Sequence, residues 1–279
     1  MLKILEGDFL DKIKEIEDDS IDFVLTDPPF GVTQCKWDSV IPFHSFVVYK
    51  GKSMEREEFL LTAFKEGLDF KEANKFFKDN KKNGMWEELE RVTKKDSIVA
   101  LFGTEPFLSN LIKSNIKNFK YCWYWKKNKS TNFLNAKKQP LRNIECIAIF
   151  YKGDYFPQKT TGHKPVNSFT KHTSDGETLG KTKQGFKGGG STERYPTQHL
   201  KFQVINNDNS GGDKFHPTQK PVELLEYLLK TYTKENDLVL DFTAGSFSTG
   251  VACKNLKRNF IGIEIDSEYV KIGKKRLED

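Results

Sequence analysis

The sequence predicts an α/β protein built on a doubly wound, mainly parallel sheet. Short runs rich in β-branched and aromatic residues alternate with segments whose apolar residues recur at helical spacing. Three of these runs end in a carboxylate (Asp8, Asp27 and Glu264), and Asp241 lies within the end of a fourth. In open α/β sheets, ligands sit beyond the carboxyl ends of the strands, so these acids point to one shared site.

The first strand, Lys3–Glu6, runs into Gly7-Asp8, and Phe9, Leu10, Ile13 and Ile16 follow at helical spacing. The second, residues 21–26, carries a single charge and delivers the turn Asp27-Pro28-Pro29-Phe30. Each proline fixes its own φ and removes a backbone donor, so the turn offers a carboxylate and unladdered carbonyls. Taken alone, Asp-Pro-Pro is equally well an ordinary turn. A loop with Gly31, Trp37 and Asp38 leads away from it. Residues 44–85 read as a helical insertion, with helices over Met54–Gly67 and Phe70–Lys81. Phe59, Leu60, Ala63 and Phe64 form one stripe, and Ala73, Phe76 and Phe77 another, a pattern for packing or partner contact.

The sheet pattern resumes with a helix over Trp86–Thr93, the strand Ser97–Phe102, and a helix opening at Glu105-Pro106, where proline suits the first turn. Strands near Lys120–Lys126 and Glu145–Tyr151 follow. Residues 1–43 and 86–151 thus form one half of the main domain. From 152 to 212 periodicity disappears, Gly188-Gly189-Gly190 sits in the middle, and Lys/Arg outnumber Asp/Glu by nine to four between 151 and 201. So long an aperiodic stretch is functional or disordered, and it reads as a small loop-rich recognition region. Residues 213–279 form the second half. There His216-Pro217-Thr218-Gln219-Lys220-Pro221 opens a helix striped by Leu224, Leu225, Leu228 and Leu229. Strand Leu238–Phe242, the turn 243–248, a helix from Thr249 and strand Phe260–Glu264 then make a βαβ unit with a Gly/Ser-rich first turn. Phe247 stands where a dinucleotide fingerprint has its second glycine. Close approach of a pyrophosphate is therefore disfavoured, and a nucleoside without phosphates suits the turn better than NAD.

Net charge is +6, and its distribution is more informative than its sum. Between Lys120 and Asn143 lie seven cations (Lys120, Lys126, Lys127, Lys129, Lys137, Lys138 and Arg142) and no acid. Tyr121, Trp123, Tyr124, Trp125 and Phe133 are interleaved with them, as are Asn128, Asn132, Asn135 and Gln139. Lysines alone suit a solvated face, but this mixture suits a polyanion with bases to touch. The four cysteines (Cys35, Cys122, Cys146 and Cys253) form no C-x-x-C pair, so neither a zinc site nor a disulfide framework is expected. No apolar run approaches the roughly 18 residues of a membrane span, and the N-terminus offers no signal-peptide core, which makes the cytoplasm the expected location.

Gly7-Asp8, Asp27-Pro28-Pro29-Phe30, Trp125-Lys126-Lys127-Asn128, the His216–Pro221 segment, Asp241…Gly245-Ser246…Thr249 and Ile263-Glu264, in this order, resemble the amino-methylating DNA methyltransferases, more narrowly their β group. The likeness covers nearly the whole chain apart from 44–85 and 152–212. It implies a Rossmann-like methyltransferase sheet in which the catalytic half precedes the cofactor half, and S-adenosylmethionine as cofactor. Asp241, Phe242, Gly245, Ser246 and Thr249, joined by Thr218 and Lys220, would surround its methionine part. Glu264 would take the ribose hydroxyls and Asp8 the adenine, with Phe9, Asp27, Thr243 and Ile265 completing the set. The family usually has Gly-Ser-Gly in the cofactor turn, where this chain has Gly245-Ser246-Phe247.

The same resemblance makes Asp27, Pro28, Pro29 and Phe30 catalytic, and implies double-stranded DNA as the partner. Lys126, Lys127, Asn128, Lys137, Lys138 and Arg142 are the expected DNA-binding residues. A homodimer and a cognate restriction endonuclease stay open as further partners. The residue chemistry agrees: an exocyclic amine is a poor nucleophile until acceptors such as the Asp27 carboxylate and the Pro28 carbonyl draw its N–H bonds toward sp³ geometry, and Phe30 would stack on the extruded base. Asp at position 27 resembles the adenine-N6 enzymes, whereas cytosine-N4 relatives more often carry Ser. Attack through ring carbon 5 of cytosine would need a Pro-Cys nucleophile, which the chain lacks. Cytosine-N4 methylation and a catalytically impaired DNA-binding relative are the alternative readings.

Overall fold

Strand β1 (Leu2–Glu6) feeds α1 (Phe9–Lys12), whose first turn is capped by the Asp8 carboxylate accepting from the Leu10 amide at 2.8 Å. In the computed structural model, the residues described are 1–31, 39–131, 133–164, 192–202, 215 and 218–278. Expectations for Cys35, Trp37, Asp38, Asn132, Gly188–Gly190, His216 and Pro217 lie outside them. After β2 (Ile21–Thr26) come β3 (Phe46–Tyr49), β4 (Lys52–Glu55), α2 (Arg56–Lys65) and α3 (Phe70–Asn80). Next are α4 (Met85–Val92), β5 (Thr93–Gly103), α5 (Phe107–Ser114), β6 (Phe119–Thr131) and β7 (Arg142–Phe150). The chain finishes with β8 (His199–Leu200), α6 (Val222–Tyr232), β9 (Leu238–Asp241), α7 (Ser248–Asn255), β10 (Asn259–Glu264) and α8 (Ser267–Glu278).

Eight strands form one sheet in the order β1-β10-β9-β2-β5-β7-β6-β8. The first five in that order are mutually parallel, β7 is antiparallel to both neighbours, and β8 joins β6 in parallel. Alternation along the strands explains the two helical layers. In β2, Val24 packs with Ile13, Leu89 and Leu111 on one face, while Phe23 and Leu25 pack with Leu224 and Leu228 on the other. β5 does the same, with Val99 and Leu101 against Ile98, Ala100 and Phe102. The sheet is doubly wound, and the order reverses between β9 and β2. Their carboxyl ends, Asp241 and Asp27, meet at this switch point.

The insertion differs from the expected pair of helices. Its entry is a β-hairpin, β3–β4, closed by Lys50 and Gly51, both left-handed at φ 49° and 78°. That two-residue loop matches strand twist, and it places Met54 and Glu55 in β4 instead of the expected Met54–Gly67 helix. Val47, Met54, Phe59, Ala63 and Phe77 form a small core of their own. Downstream, α3 starts at a capping box in which Asp69 accepts from the Glu72 amide and Glu72 from the Asp69 amide, at 2.8 and 3.2 Å.

The region from 152 to 212 also departs from one continuous recognition segment. Chain compactness divides it: Pro157–Thr197 form a unit of their own, while residues to Phe156 and from Gln198 belong with the main sheet. Within the small unit, Thr160 and Arg194 exchange backbone hydrogen bonds at 3.0 and 2.8 Å, and the Lys159 ammonium lies over the Tyr195 ring. In the main unit, Gln198 supplies its carbonyl to the Tyr124 amide at 2.8 Å, and Leu200 is buried. The two residues of β8 are too short a run to show a period-2 signal.

Candidate active site

A cleft of about 240 Å³ opens at the carboxyl ends of β1, β2, β9 and β10. It brings together Asp8, Phe9, the whole turn 27–30, Thr218, Lys220, Asp241, Phe242, Thr243, Gly245, Ser246, Thr249, Glu264 and Ile265. All of the expected catalytic and cofactor residues thus line one cavity. Residues distant in sequence meet there because parallel strands end side by side. Ser39, Ile41, Phe102 and Tyr269 also line the cleft, and sequence reasoning did not find them.

The wall formed by β9 and β10 is acidic and tightly hydrogen-bonded. Asp241 is buried; its Oδ1 accepts from Thr26 Oγ1 at 2.5 Å and from the Thr243 amide at 3.2 Å, and its Oδ2 from Thr249 Oγ1 at 2.6 Å. Burial pushes this carboxyl up to about 6, against the pull of those donors. Glu264 Oε2 accepts from the Gly245 amide at 2.7 Å and Oε1 from the Asp266 amide at 2.8 Å. Burial raises it too, opposed by the same amides. Gly245 adopts φ 50°, which bends the turn toward the Glu264 carboxylate. The set of carboxylates, hydroxyls and apolar flanks (Phe9, Phe242, Ile265) fits S-adenosylmethionine, a cationic nucleoside with a sulfonium, a free amine and two ribose hydroxyls.

Phe247 is placed otherwise than its position in the turn suggests. Its backbone is left-handed, φ 61° and ψ 30°, the conformation a glycine would supply. The ring is fully buried, edge-on to Phe260 at 6.3 Å, and does not line the cleft. It occupies space left open by Gly262 and Gly273, where an added Cβ would lie 2.7 and 2.2 Å from ring carbons. The turn therefore keeps a glycine-like path while the side chain fills the core behind it.

The opposite wall is a chain of charges in which Glu145 is buried and Asp27, Lys127 and Lys220 are half-buried. Lys220 Nζ pairs with Asp27 Oδ2, and lies 3.0 Å from Glu145 Oε1 in an ion pair that falls short of hydrogen-bond geometry. Lys127 pairs with the other oxygen, Glu145 Oε2, and its ammonium sits 5.0 Å from the Trp125 ring centre. Two cations and two carboxylates cancel, which is what permits their burial. Burial raises the Asp27 carboxyl against the opposing Lys220 ammonium. For Glu145 burial also works upward, but Lys220 and Lys127 outweigh it and hold the carboxyl down. Burial works against the Lys220 ammonium, yet Asp27 and Glu145 together raise it. Asp27 Oδ1 is buried with no hydrogen-bond partner among the described residues. The Asp27 carbonyl accepts from Thr243 Oγ1 at 3.0 Å, tying the turn to the β9 end. Phe30 lines the cleft and leans on Phe107, ring centres 4.9 Å apart.

The expected DNA-binding residues divide. Lys126, Asn128, Lys137, Lys138 and Arg142 are exposed on the β6–β7 arm, whereas Lys127 turns inward to Glu145. Glu145 itself was missed. Its signal was an acid between Ile144 and Cys146 at the start of an apolar strand, where a lone carboxylate needs a buried counter-ion.

Comparison with known proteins agrees with this geometry. Residues 21–275 match the family model described as DNA methylase, of the N6/N4 type. Over 301 aligned residues the chain is 26% identical to the Type II methyltransferase M.HindIII of Haemophilus influenzae, covering 98% of this chain and 94% of that one. Over 63 residues it is 51% identical to the DNA adenine methyltransferase YhdJ of Escherichia coli, 23% of this chain and 21% of that protein. Other short matches, up to 56% identical, likewise span about a quarter of the relatives' length. The fold is shared with the crystal structure of an M1.HpyAVI–SAM complex, at TM-score 0.56 and 22% identity with both chains fully covered. Among the described residues no helix is long and apolar enough to cross a membrane.

Proposed function

Because the chain belongs to the N6/N4 DNA methylase family, we propose that it transfers a methyl group from S-adenosylmethionine to the exocyclic N6 of an adenine extruded from double-stranded DNA. The observation that carries this reading is Asp27 Oδ1, an unpartnered buried acceptor across the cleft from the Asp241 and Glu264 wall. When bound, the cofactor supplies an electrophilic methyl group. Asp241, Phe242, Thr243, Gly245, Ser246 and Thr249 hold its methionine part with Thr218, Glu264 and Ile265 its ribose, and Asp8 and Phe9 its adenine.

Asp27 Oδ1 and the Pro28 carbonyl accept the two N–H bonds of the target amine, which frees the nitrogen lone pair for in-line attack. Phe30 stacks on the base. Lys220 serves Asp27 rather than the cofactor: by occupying Oδ2 it keeps the carboxylate charged and aims Oδ1 at the amine. Glu145 balances Lys220, and Lys127 balances Glu145. Asp27, whose carboxyl burial pushes up, then takes the proton that the amine loses. Adenine is favoured by Asp at position 27 and by the name of the Escherichia coli relative. Lys126, Asn128, Lys137, Lys138 and Arg142 bind the DNA backbone. The Type II names support a cognate restriction endonuclease, and exposed Leu61, Phe64 and Phe70 on the insertion offer a homodimer face.

Asp27→Ala tests the reading. The variant is expected to fold, to bind S-adenosylmethionine by calorimetry, and to transfer no labelled methyl group to duplex DNA. Transfer near the wild-type rate contradicts the role given to Asp27.

A further inference from the structure

Among the described residues, the two most exposed large apolar side chains sit together at one place, the tip of the β6–β7 arm. Phe133 is 79% exposed and Leu134 is 97% exposed. They form a single 3₁₀ turn, Phe133–Asn135, held by the Ala136 amide donating to the Phe133 carbonyl at 3.0 Å. Lys138 and Gln139 amides both donate to the Asn135 carbonyl, at 2.8 and 3.0 Å, so the tip is a defined turn. Thr131 pairs with Arg142 at its base.

Exposing a phenylalanine and a leucine side by side on a ribbon wastes apolar area unless something covers them. The surroundings identify what that is. Lys126, Lys129, Lys137, Lys138 and Arg142 are exposed along the same arm, and no acid occurs between Lys120 and Asn143. A second copy of this chain would bring the same five cations against themselves across a two-fold axis, so a homodimer contact is disfavoured here. A polyanion with an apolar interior satisfies both features at once. Duplex DNA offers phosphates outside and stacked bases within, and apolar side chains enter such stacks by partly unstacking a step.

The arm is also aimed from the right origin. Its base is the Trp125–Glu145 register pair, and Glu145 reaches Asp27 through Lys220. From the Trp125–Glu145 pair to the Thr131–Arg142 pair the arm advances three residues along β7, roughly 10 Å at about 3.3 Å per residue, while β6 bulges between Lys126 and Thr131. Cys146 is the partner of Gly103 at the carboxyl end of β5, so the arm beyond it projects from the same end of the sheet as the cleft. We infer that Phe133 and Leu134 form an apolar wedge that enters the DNA base stack beside the extruded nucleotide, with Lys129, Lys137, Lys138 and Arg142 on the flanking phosphates. This rests on the DNA-methylating reading of the cleft.

The test uses full-length protein carrying Phe133→Ser and Leu134→Ser together, with Phe133→Trp and Leu134→Met as conservative controls. The probe is a labelled duplex containing the site the wild type methylates, with 2-aminopurine at the target position. Affinity is read by anisotropy over a salt series, and base extrusion by 2-aminopurine fluorescence. The double variant is expected to bind about 10- to 100-fold more weakly, from the loss of one or two stacking contacts. Its slope of log K against log salt stays at the wild-type value, because no phosphate contact is removed. The 2-aminopurine signal falls, and a mismatch at the target, which prepays unstacking, restores it; the conservative variants behave as wild type. Unchanged affinity and fluorescence in the double variant overturn the wedge, as does a loss of salt slope equal to that of Lys137→Ala/Lys138→Ala. Wild-type methyl transfer is followed on the matching duplex that carries adenine at the target position. Its absence counts against the function of the cleft, while the binding and fluorescence arms still decide the wedge.

Discussion

Replacing Phe247 by glycine restores the residue that the resembling family carries in the cofactor turn, yet it should destabilise this protein and leave the cofactor site alone. The ring is fully buried between Phe260, Gly262 and Gly273. Removing a buried phenylalanine side chain costs about 3–5 kcal/mol in lost transfer and cavity terms. Relief of the left-handed backbone at φ 61° returns about 1–2 kcal/mol. The net is a loss of about 1–4 kcal/mol, with a central value near 2.5. For a chain of this size that lowers Tm by about 5–10 °C, measurable by calorimetry or circular dichroism. S-adenosylmethionine affinity, read by isothermal titration at a temperature where both proteins are folded, stays within about twofold, since a difference of 0.4 kcal/mol is the most a buried ring behind the wall transmits to the cleft. A glycine variant with wild-type Tm and cofactor affinity weakened tenfold or more would place the ring in the site and refute the packing argument.

The charge chain predicts opposite shifts in the pH dependence of kcat. Lys220→Met removes the cation that opposes burial at Asp27, so the carboxyl rises further and the acid limb of the profile moves to higher pH, with activity recovering as pH increases. Glu145→Gln removes a negative neighbour of Asp27 and moves the same limb to lower pH; a uniform fall in kcat without a shift in either variant contradicts the scheme. Asp241 gives a stability prediction. Its folded carboxyl titrates at about 6, above the ordinary 3.8, so the native state binds the extra proton and stability falls as pH rises from about 4 to 6. The expected loss is about 3 kcal/mol relative to Asp241→Asn, whose unfolding free energy lacks this component; parallel curves for the two proteins would contradict it.

Much of this was legible in the residues because it depends on short-range patterns. Strands β2, β5, β7, β9 and β10 are apolar runs bounded by turn residues, and burial on both faces makes such runs conspicuous. Asp8, Asp27, Asp241 and Glu264 were recognisable as one site because parallel strands bring their carboxyl ends together. What was not legible depended on pairing across long separations. Glu145 is 75 residues from Lys220, and nothing local to either shows that they meet, or that Lys220 faces Asp27 instead of the cofactor wall. The β3–β4 hairpin was hidden because Lys50-Gly51 is a weaker turn signal than Asn-Gly, and Ser53-Met54-Glu55 also suits a helix start. Phe247 misled in a specific way: a non-glycine residue in the left-handed region is uncommon, so the sequence suggests a blocked turn, while the compensating space at Gly262 and Gly273 lies 15 and 26 residues away.

In the proposed function the Asp27 turn activates an exocyclic amine of adenine. The direct measurement is mass spectrometry of nucleosides from duplex DNA incubated with the purified protein and S-adenosylmethionine carrying a deuterated methyl group. Label is expected in N6-methyladenine, none in N4-methylcytosine, and none in either after Asp27→Ala. Label in N4-methylcytosine would contradict the assignment of the base, and label that persists in the Asp27→Ala reaction would contradict the site.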